Sequence, residues 1–155
     1  MFGEKEKVRI YLGSDHAGFE SGGIKAQLKE YLDGEGYAVT DLGSFSPEAC
    51  DYPDIAREVA EKVSEVPGAF GILICGSGVG MEIAANKVKG IRAVVVSDEA
   101  LAETSRVHND ANVLTMGSRL TDLETMKKIA NKFLTTEFES GEERRVRRVE
   151  KLNAM

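Results

Sequence analysis

Cysteine is scarce in this chain: Cys50 and Cys75 are the only two among 155 residues, and their separation fits neither a disulfide framework nor a zinc motif. Both are expected to be free thiols. Histidine is equally scarce, with His16 and His108 alone, and no close spacing with acidic residues supports a metal site. Long apolar runs are missing: nothing approaches the roughly 20 residues of a membrane span, and the opening Met1-Phe2-Gly3-Glu4-Lys5-Glu6-Lys7 has no signal-peptide core. No membrane association is expected, and the cytoplasm is the expected compartment. Positive charge is outweighed, with 20 Lys and Arg against 26 Asp and Glu for a net charge of -6. Nucleic acid and anionic membrane would both be repelled by such a surface on average. Internal repeats, low-complexity tracts and linkers are absent too, so residues 1–155 are expected to form one domain.

What is present is the composition of a globular protein, 42% hydrophobic and 30% charged. Val8 to Leu12 reads as a strand that enters the polar loop Gly13-Ser14-Asp15-His16-Ala17-Gly18. Ile24, Leu28, Tyr31 and Leu32 then recur at helical spacing, and Gly34-Glu35-Gly36 marks a stop. Tyr37 to Leu42 is the second strand. After a loop through Pro47 and Cys50, Ile55, Val59, Ala60 and Val63 mark a second helix, ended by Pro67-Gly68. Phe70 to Ile74 is a short apolar run of the kind found in a central strand buried on both faces. Helical spacing returns over Met81 to Val88, Asp98 to Val107 and Asp122 to Phe133, with strands at Ile91 to Val96 and Asn112 to Met116 between them. The alternation predicts a three-layer Rossmann-like α/β fold: a five-stranded parallel sheet, helices on both faces, ligands at the carboxyl ends of the strands. A charged helix bearing arginines closes the chain, over about 141–153.

The loop Cys75-Gly76-Ser77-Gly78-Val79-Gly80 lies between a buried strand and a helix, where converging backbone N–H groups favour an anion. Gly76 and Gly78 also match the first two glycines of a dinucleotide fingerprint, with Asp98 near the expected distance downstream. Met81 occupies the place of the third glycine, and only two further strands follow from which to build a nucleotide site. A plain turn with an inert core cysteine is the other alternative. Helix N-termini favour the thiolate form of cysteine. A thiolate there accepts a proton, and the same N–H groups stabilise an oxyanion such as an enediolate. Ser77 adds a hydroxyl able to relay a proton.

Gly13-Ser14-Asp15-His16-Ala17-Gly18, the Cys75 to Gly80 loop, Ala84-Ala85-Asn86-Lys87 with Gly90-Ile91-Arg92, and Ser105-Arg106-Val107-His108-Asn109-Asp110 together resemble ribose-5-phosphate isomerase type B. The likeness runs in order through nearly the whole chain. The wider family also contains galactose-6-phosphate and allose-6-phosphate isomerases. The resemblance implies an aldose-ketose isomerase needing neither metal nor organic cofactor, with a phosphorylated sugar as substrate. It implies that Cys75 is the base moving a proton between C1 and C2, that Ser77 assists at the oxygens and that His108 opens the furanose ring. Gly76, Gly78 and Gly80 would line the anion hole, while Asp15 and Asn109 contact sugar oxygens. His16, Arg119, Arg144 and Arg148 would hold the phosphate. It further implies a homodimer or homotetramer whose sites are shared between chains. Some members lack the cysteine and use a glutamate at the position of Met81; Glu82 is one residue displaced and reads as an ordinary helix residue.

Taken residue by residue, His16 and His108 fall in polar segments next to strands, beside Asp15 and Asn109, as site residues would. Arg144 and Arg148 lie four apart on one face of the last helix. Pairing with Glu142, Glu143 and Glu150 would explain them as a solvated surface. For a charge run alone that is the favoured reading, but concentrated arginines in an otherwise acidic chain suit a phosphate, and no aromatics are interleaved with them to favour nucleic acid. Arg119 follows the fifth strand, where ligand contacts are expected. Cys50 has no convergent polar partners and receives no role; Asp51 and Tyr52 beside it are candidate substrate contacts.

Overall fold

The computed structural model describes residues 6–155; the first five residues of the polar N-terminal stretch lie outside the described residues. Five strands, β1 (Arg9–Ser14), β2 (Ala38–Asp41), β3 (Phe70–Cys75), β4 (Ala93–Val95) and β5 (Val113–Gly117), form one sheet in the order β2-β1-β3-β5-β4. Every pairing is parallel. Six helices connect and follow them: α1 (Ile24–Gly34), α2 (Tyr52–Glu65), α3 (Val79–Ala85), α4 (Glu99–Asn109), α5 (Leu123–Thr135) and α6 (Glu143–Asn153). Among the described residues no helix is long and apolar enough to cross a membrane.

The alternation of side chains along the strands divides the core in two. Ile10, Leu12, Ile72, Ile74, Leu114 and Met116 meet α1, α4 and α5 through Leu28, Leu32, Ala102, Ile129 and Phe133. Tyr11, Leu73, Cys75 and Val113 point the other way, against Ala56, Val59 and Ala60 of α2 and Met81 and Ala85 of α3. Because both faces are covered, the successive residues Ile72, Leu73 and Ile74 are all fully buried, which is why this strand reads as an unbroken apolar run. Cys75 thus faces α2 and α3 by strand parity.

Helix starts follow from local chemistry. Asp98 and Asp122 each accept a backbone N–H at 2.8 Å, from Leu101 and Thr125, and Pro53 occupies the first turn of α2. Asp98, the acid that spacing offers to a nucleotide ribose, is therefore engaged as a helix cap. On the outer edge of the sheet, the Val95 N–H donates to Glu82 Oε1 at 3.0 Å and the Ala93 N–H to Asn86 Oδ1 at 2.8 Å. The side chains of α3 and its cap thus take the place of a neighbouring strand, which closes an edge otherwise open to pairing.

The sequence-based layout holds for all five strands and six helices, with local departures. His16–Phe19 is a turn of 3-10 helix and not an open loop. α3 stops at Ala85 instead of continuing to Val88, and β4 is confined to Ala93–Val95. α4 runs past the last apolar periodic residue, Val107, to Asn109, because Asp110 adopts a left-handed cap with φ 48° and ψ 44°. His108 therefore sits in the last turn of a helix rather than in a strand-end loop.

Candidate active site

From β1 the chain first builds β2 on one side and then returns to build β3 on the other. The carboxyl ends of β1 and β3 accordingly flank the crevice where ligands bind in open α/β sheets. A cavity of about 600 Å³ opens there, lined among others by Asp15, Tyr52, Cys75, Gly76, Ser77 and Arg119. Cys75 ends β3, and Gly76, Ser77 and Gly78 lead into α3. Gly78 has φ +82°, a left-handed conformation that glycine adopts without a Cβ clash. That turn swings its N–H onto Cys75 Sγ at 3.1 Å, the type of donor a thiolate accepts. α3 has only seven residues, so its macrodipole is short and the positive potential at this turn comes chiefly from the individual N–H groups of the loop.

The continuation of β5 braces this loop. The N–H groups of Ser118 and Arg119 donate to the carbonyls of Cys75 and Gly76 at 2.9 and 3.1 Å, and Thr115 Oγ1 donates to the Gly78 carbonyl at 2.8 Å. Gly117 makes the approach possible: a Cβ there would lie 2.7 Å from the backbone of Ser77 and 2.8 Å from the Gly76 carbonyl oxygen. Neither neighbour is a flexible side chain. Gly117→Ala is therefore expected to lower stability by about 1–3 kcal/mol, read as a lower urea midpoint, and to displace the loop.

Asp15 follows β1 and is almost fully buried. Its carboxylate accepts the Ala17 N–H at 2.9 Å, and its other oxygen lies 4.0 Å from His16 Nδ1. His16 Nδ1 is buried without a hydrogen-bond partner. The backbone of β1 is tied down just before Asp15: the Ser14 N–H donates to the Gly43 carbonyl at 2.7 Å, and the Ser44 N–H to the Ser14 carbonyl. Lys25 of α1, only 4% exposed, holds that neighbouring loop by donating to Asp41 Oδ1 at 2.9 Å and to the Ser44 carbonyl at 2.6 Å.

Arg119 meets Glu20 through two bonds, Nε to Oε2 at 3.2 Å and Nη2 to Oε1 at 2.8 Å, with its side chain lying against Gly76. The bond to Arg119 holds the Glu20 carboxyl below its ordinary value and raises the guanidinium in turn. Because Glu20 is depressed, the pair is intact above its folded pKa and is lost as pH falls through it. Ser77 is exposed, and its Oγ accepts the Val79 N–H at 3.3 Å. The ring of Tyr52 packs onto Gly80, where a Cβ would meet it at 2.7 Å. Glu82 points away from the cavity, to β4.

His108, Asn109, Arg144 and Arg148 are not part of this cavity. α4 returns from the carboxyl end of β4 to the amino end of β5, which leaves His108 and Asn109 at the opposite edge of the sheet, separated from Cys75 by a strand length of roughly 16 Å. Both are exposed, as are Arg144 and Arg148 on α6, which packs against α4. Among the described residues neither Arg144 nor Arg148 pairs with a carboxylate; Arg145 does, with Glu139. Glu20 and Lys25, and Ile83 and Leu120 on the apolar rim of the cavity, join the site region without being among the residues expected from the sequence. Lys25 did carry a signal, since it lies three and seven residues before Leu28 and Leu32 on the buried stripe of α1.

A parallel α/β sheet with a thiol-bearing, glycine-rich loop at its switch point defines a Rossmann-like protein with its candidate site at the carboxyl ends of β1 and β3. Among the described residues no cluster of potential ligands suits a metal ion. The chain belongs to the Ribose/Galactose Isomerase family, whose profile matches residues 10–152. It is 46% identical over 149 residues to ribose-5-phosphate isomerase B of Escherichia coli K12, covering 95% of each chain. Among solved structures it resembles ribose-5-phosphate isomerase B of Clostridium thermocellum, with TM-score 0.88 and 41% identity over 95% of this chain and 96% of that one. The type B enzyme of Trypanosoma cruzi aligns with TM-score 0.89 and 42% identity over 96% of each.

Proposed function

We propose that this chain is a cytoplasmic enzyme that interconverts ribose 5-phosphate and ribulose 5-phosphate through a cis-enediolate. The observation that carries the reading is Cys75 Sγ in the cavity wall with the Gly78 N–H directed at it. Cys75, as thiolate, takes the proton from C2 of the open-chain aldose, and the electron pair of that C–H bond moves into the enediolate. Gly76, Gly78 and Gly80 line the anion hole for the negative oxygen, the Gly76 and Gly80 N–H groups serving it while that of Gly78 serves the sulfur. Ser77 carries the proton from O2 to O1, and the proton on sulfur is delivered to C1. Atoms and charge balance without an oxidant or a cofactor. Asp15 contacts a sugar hydroxyl, and His16 and Arg119 contribute to the phosphate site.

The remaining residues reach the sugar from a second copy of the chain. In one copy His108 and Asn109 are a strand length away and Arg144 and Arg148 lie outside the cavity, so a homodimer, or a tetramer of two such dimers, supplies His108 for ring opening, Asn109 for a sugar oxygen, and Arg144 and Arg148 for the phosphate. The rim of the cavity supports this arrangement: Leu120 is 75% and Ile83 57% exposed, an unusual apolar border for a site that meets only water.

A colorimetric isomerase assay with ribose 5-phosphate, allose 6-phosphate and galactose 6-phosphate tests the reading. Turnover of ribose 5-phosphate is expected; preference for a six-carbon sugar would reassign the substrate, and binding without turnover of any of them would make the protein a sensor. His108→Ala is expected to slow ribose 5-phosphate by about 10²-fold. It should leave 4-deoxyribose 5-phosphate, which cannot close a furanose ring, near wild type. Equal losses on both would remove His108 from ring opening.

A further inference from the structure

The amino edge of the sheet holds an ionic cluster that the mechanism above does not use. Arg92 and Arg106 have side chains only 15% and 9% exposed, and both meet the carboxylate of Asp110. Arg106 Nη1 donates to Oδ1 at 2.8 Å, Arg92 Nη2 to Oδ2 at 3.4 Å, and Arg92 Nε to the Asp110 carbonyl at 2.9 Å. The two guanidinium groups are themselves anchored. Arg106 Nη1 also donates to the Ala111 carbonyl at 2.6 Å, and its guanidinium stacks on Phe70 and Phe133. Arg92 Nη1 reaches Asn153 Oδ1 at the end of α6, at 2.6 Å. Asp110 is also a residue other than glycine at positive φ, a conformation that costs free energy and persists where its surroundings over-determine it.

A glycine or asparagine would end α4 at this point without any arginine. The cluster does more than end a helix: it holds side chain and carbonyl of the residue that directly follows His108 and Asn109, and through Asn153 it ties that point to α6, which bears Arg144 and Arg148. We propose that Asp110, clamped between Arg92 and Arg106, is a positioning residue that fixes the last turn of α4 so that His108 and Asn109 are presented at one angle to the sugar held by the partner chain. The inference rests on the two-chain isomerase reading above. Asp110 itself touches no substrate; it acts through the geometry of its two predecessors.

Asp110→Gly separates the backbone from the clamp, since glycine keeps the left-handed conformation without strain while the carboxylate is lost. The variant is expected to retain its circular dichroism. Its kcat on ribose 5-phosphate should fall about ten- to a hundred-fold, the scale of a misplaced catalytic group, with a several-fold smaller loss on 4-deoxyribose 5-phosphate, which still meets Asn109 but needs no ring opening. In a His108→Ala background the same change should cost several-fold less than in the wild type, because only Asn109 is left to misplace. Arg92→Lys, which keeps the charge and loses the fork, is the second variant in case Asp110→Gly does not fold, and should shift the cyclic-to-open-chain ratio in the same direction. Equal losses on both sugars, or a full additional loss in the His108→Ala background, would leave Asp110 a structural cap only and overturn the proposal. A wild-type protein inactive on every phosphosugar would instead remove the isomerase reading, a result recorded before any variant is compared.

Discussion

Cys75→Ala is expected to abolish exchange of the substrate C2 proton with solvent and to lower kcat by about 10²–10⁴-fold, the range for removing a positioned general base. Binding of the phosphosugar should survive. The reason lies in how the thiol is placed: it closes β3, points by strand parity toward α2 and α3, and receives the Gly78 N–H at 3.1 Å. The loop backbone that faces the ligand is held by Thr115, Ser118 and Arg119 from the β5 side, and none of those bonds involves the sulfur. Removing Sγ therefore deletes the proton acceptor and leaves the anion-binding frame standing. Glu82, the nearest carboxylate in sequence, does not substitute for it, because its Oε1 accepts the Val95 N–H. The measurement is loss of label from [2-²H]ribose 5-phosphate alongside a binding isotherm; a variant that still exchanges the C2 proton would exclude Cys75 as the base.

Mixing Cys75→Ala with Arg148→Ala, assayed well below KM where each variant alone turns over little substrate, should restore activity if the site is assembled from two chains. Cys75→Ala destroys the half of the site at the carboxyl edge, and Arg148→Ala weakens the half contributed by α6. Each homodimer carries the same defect twice. In a mixed dimer one site has both defects and the other has neither. Random re-pairing of equal amounts makes half of the dimers mixed, so about one quarter of wild-type activity is expected to return. Arg148→Ala alone should raise KM strongly, because about 1.5–3 kcal/mol is typical of a hydrogen bond to a charged group. If activity stays absent after co-refolding while size-exclusion shows mixed dimers, the site is not shared in the manner proposed. The reason for the experiment is that His108, Asn109, Arg144 and Arg148 do not line the cavity at Cys75, and the end of α4 lies about a strand length from it.

Much of the fold was readable because its determinants are local. The run Phe70 to Ile74 announces a strand buried on both faces, and Asp98 and Asp122 announce helix starts that they do cap. The same holds for the loop at Cys75, where residue order alone places the thiol and glycines together. The departures arose where the determinant is a tertiary partner. His108 was expected in a loop because apolar periodicity ends at Val107; the helix continues because two arginines hold Asp110 in its left-handed cap. Glu20 and Arg119 are 99 residues apart, and no pattern in the chain couples them. The division of the expected site residues between two edges of the sheet was likewise invisible, since sequence order does not record that each helix of a βα unit returns to the start of the next strand.

The outer strand β4 has a consequence for assembly. With Ala93 and Val95 already satisfied by Asn86 and Glu82, a neighbouring molecule finds no vacant ladder there to extend. Association through that margin by a continuous intermolecular sheet is disfavoured, and a contact on that side falls to loops and helix surfaces instead. Any contact formed on that side would come apart without unzipping main-chain bonds, leaving each chain folded.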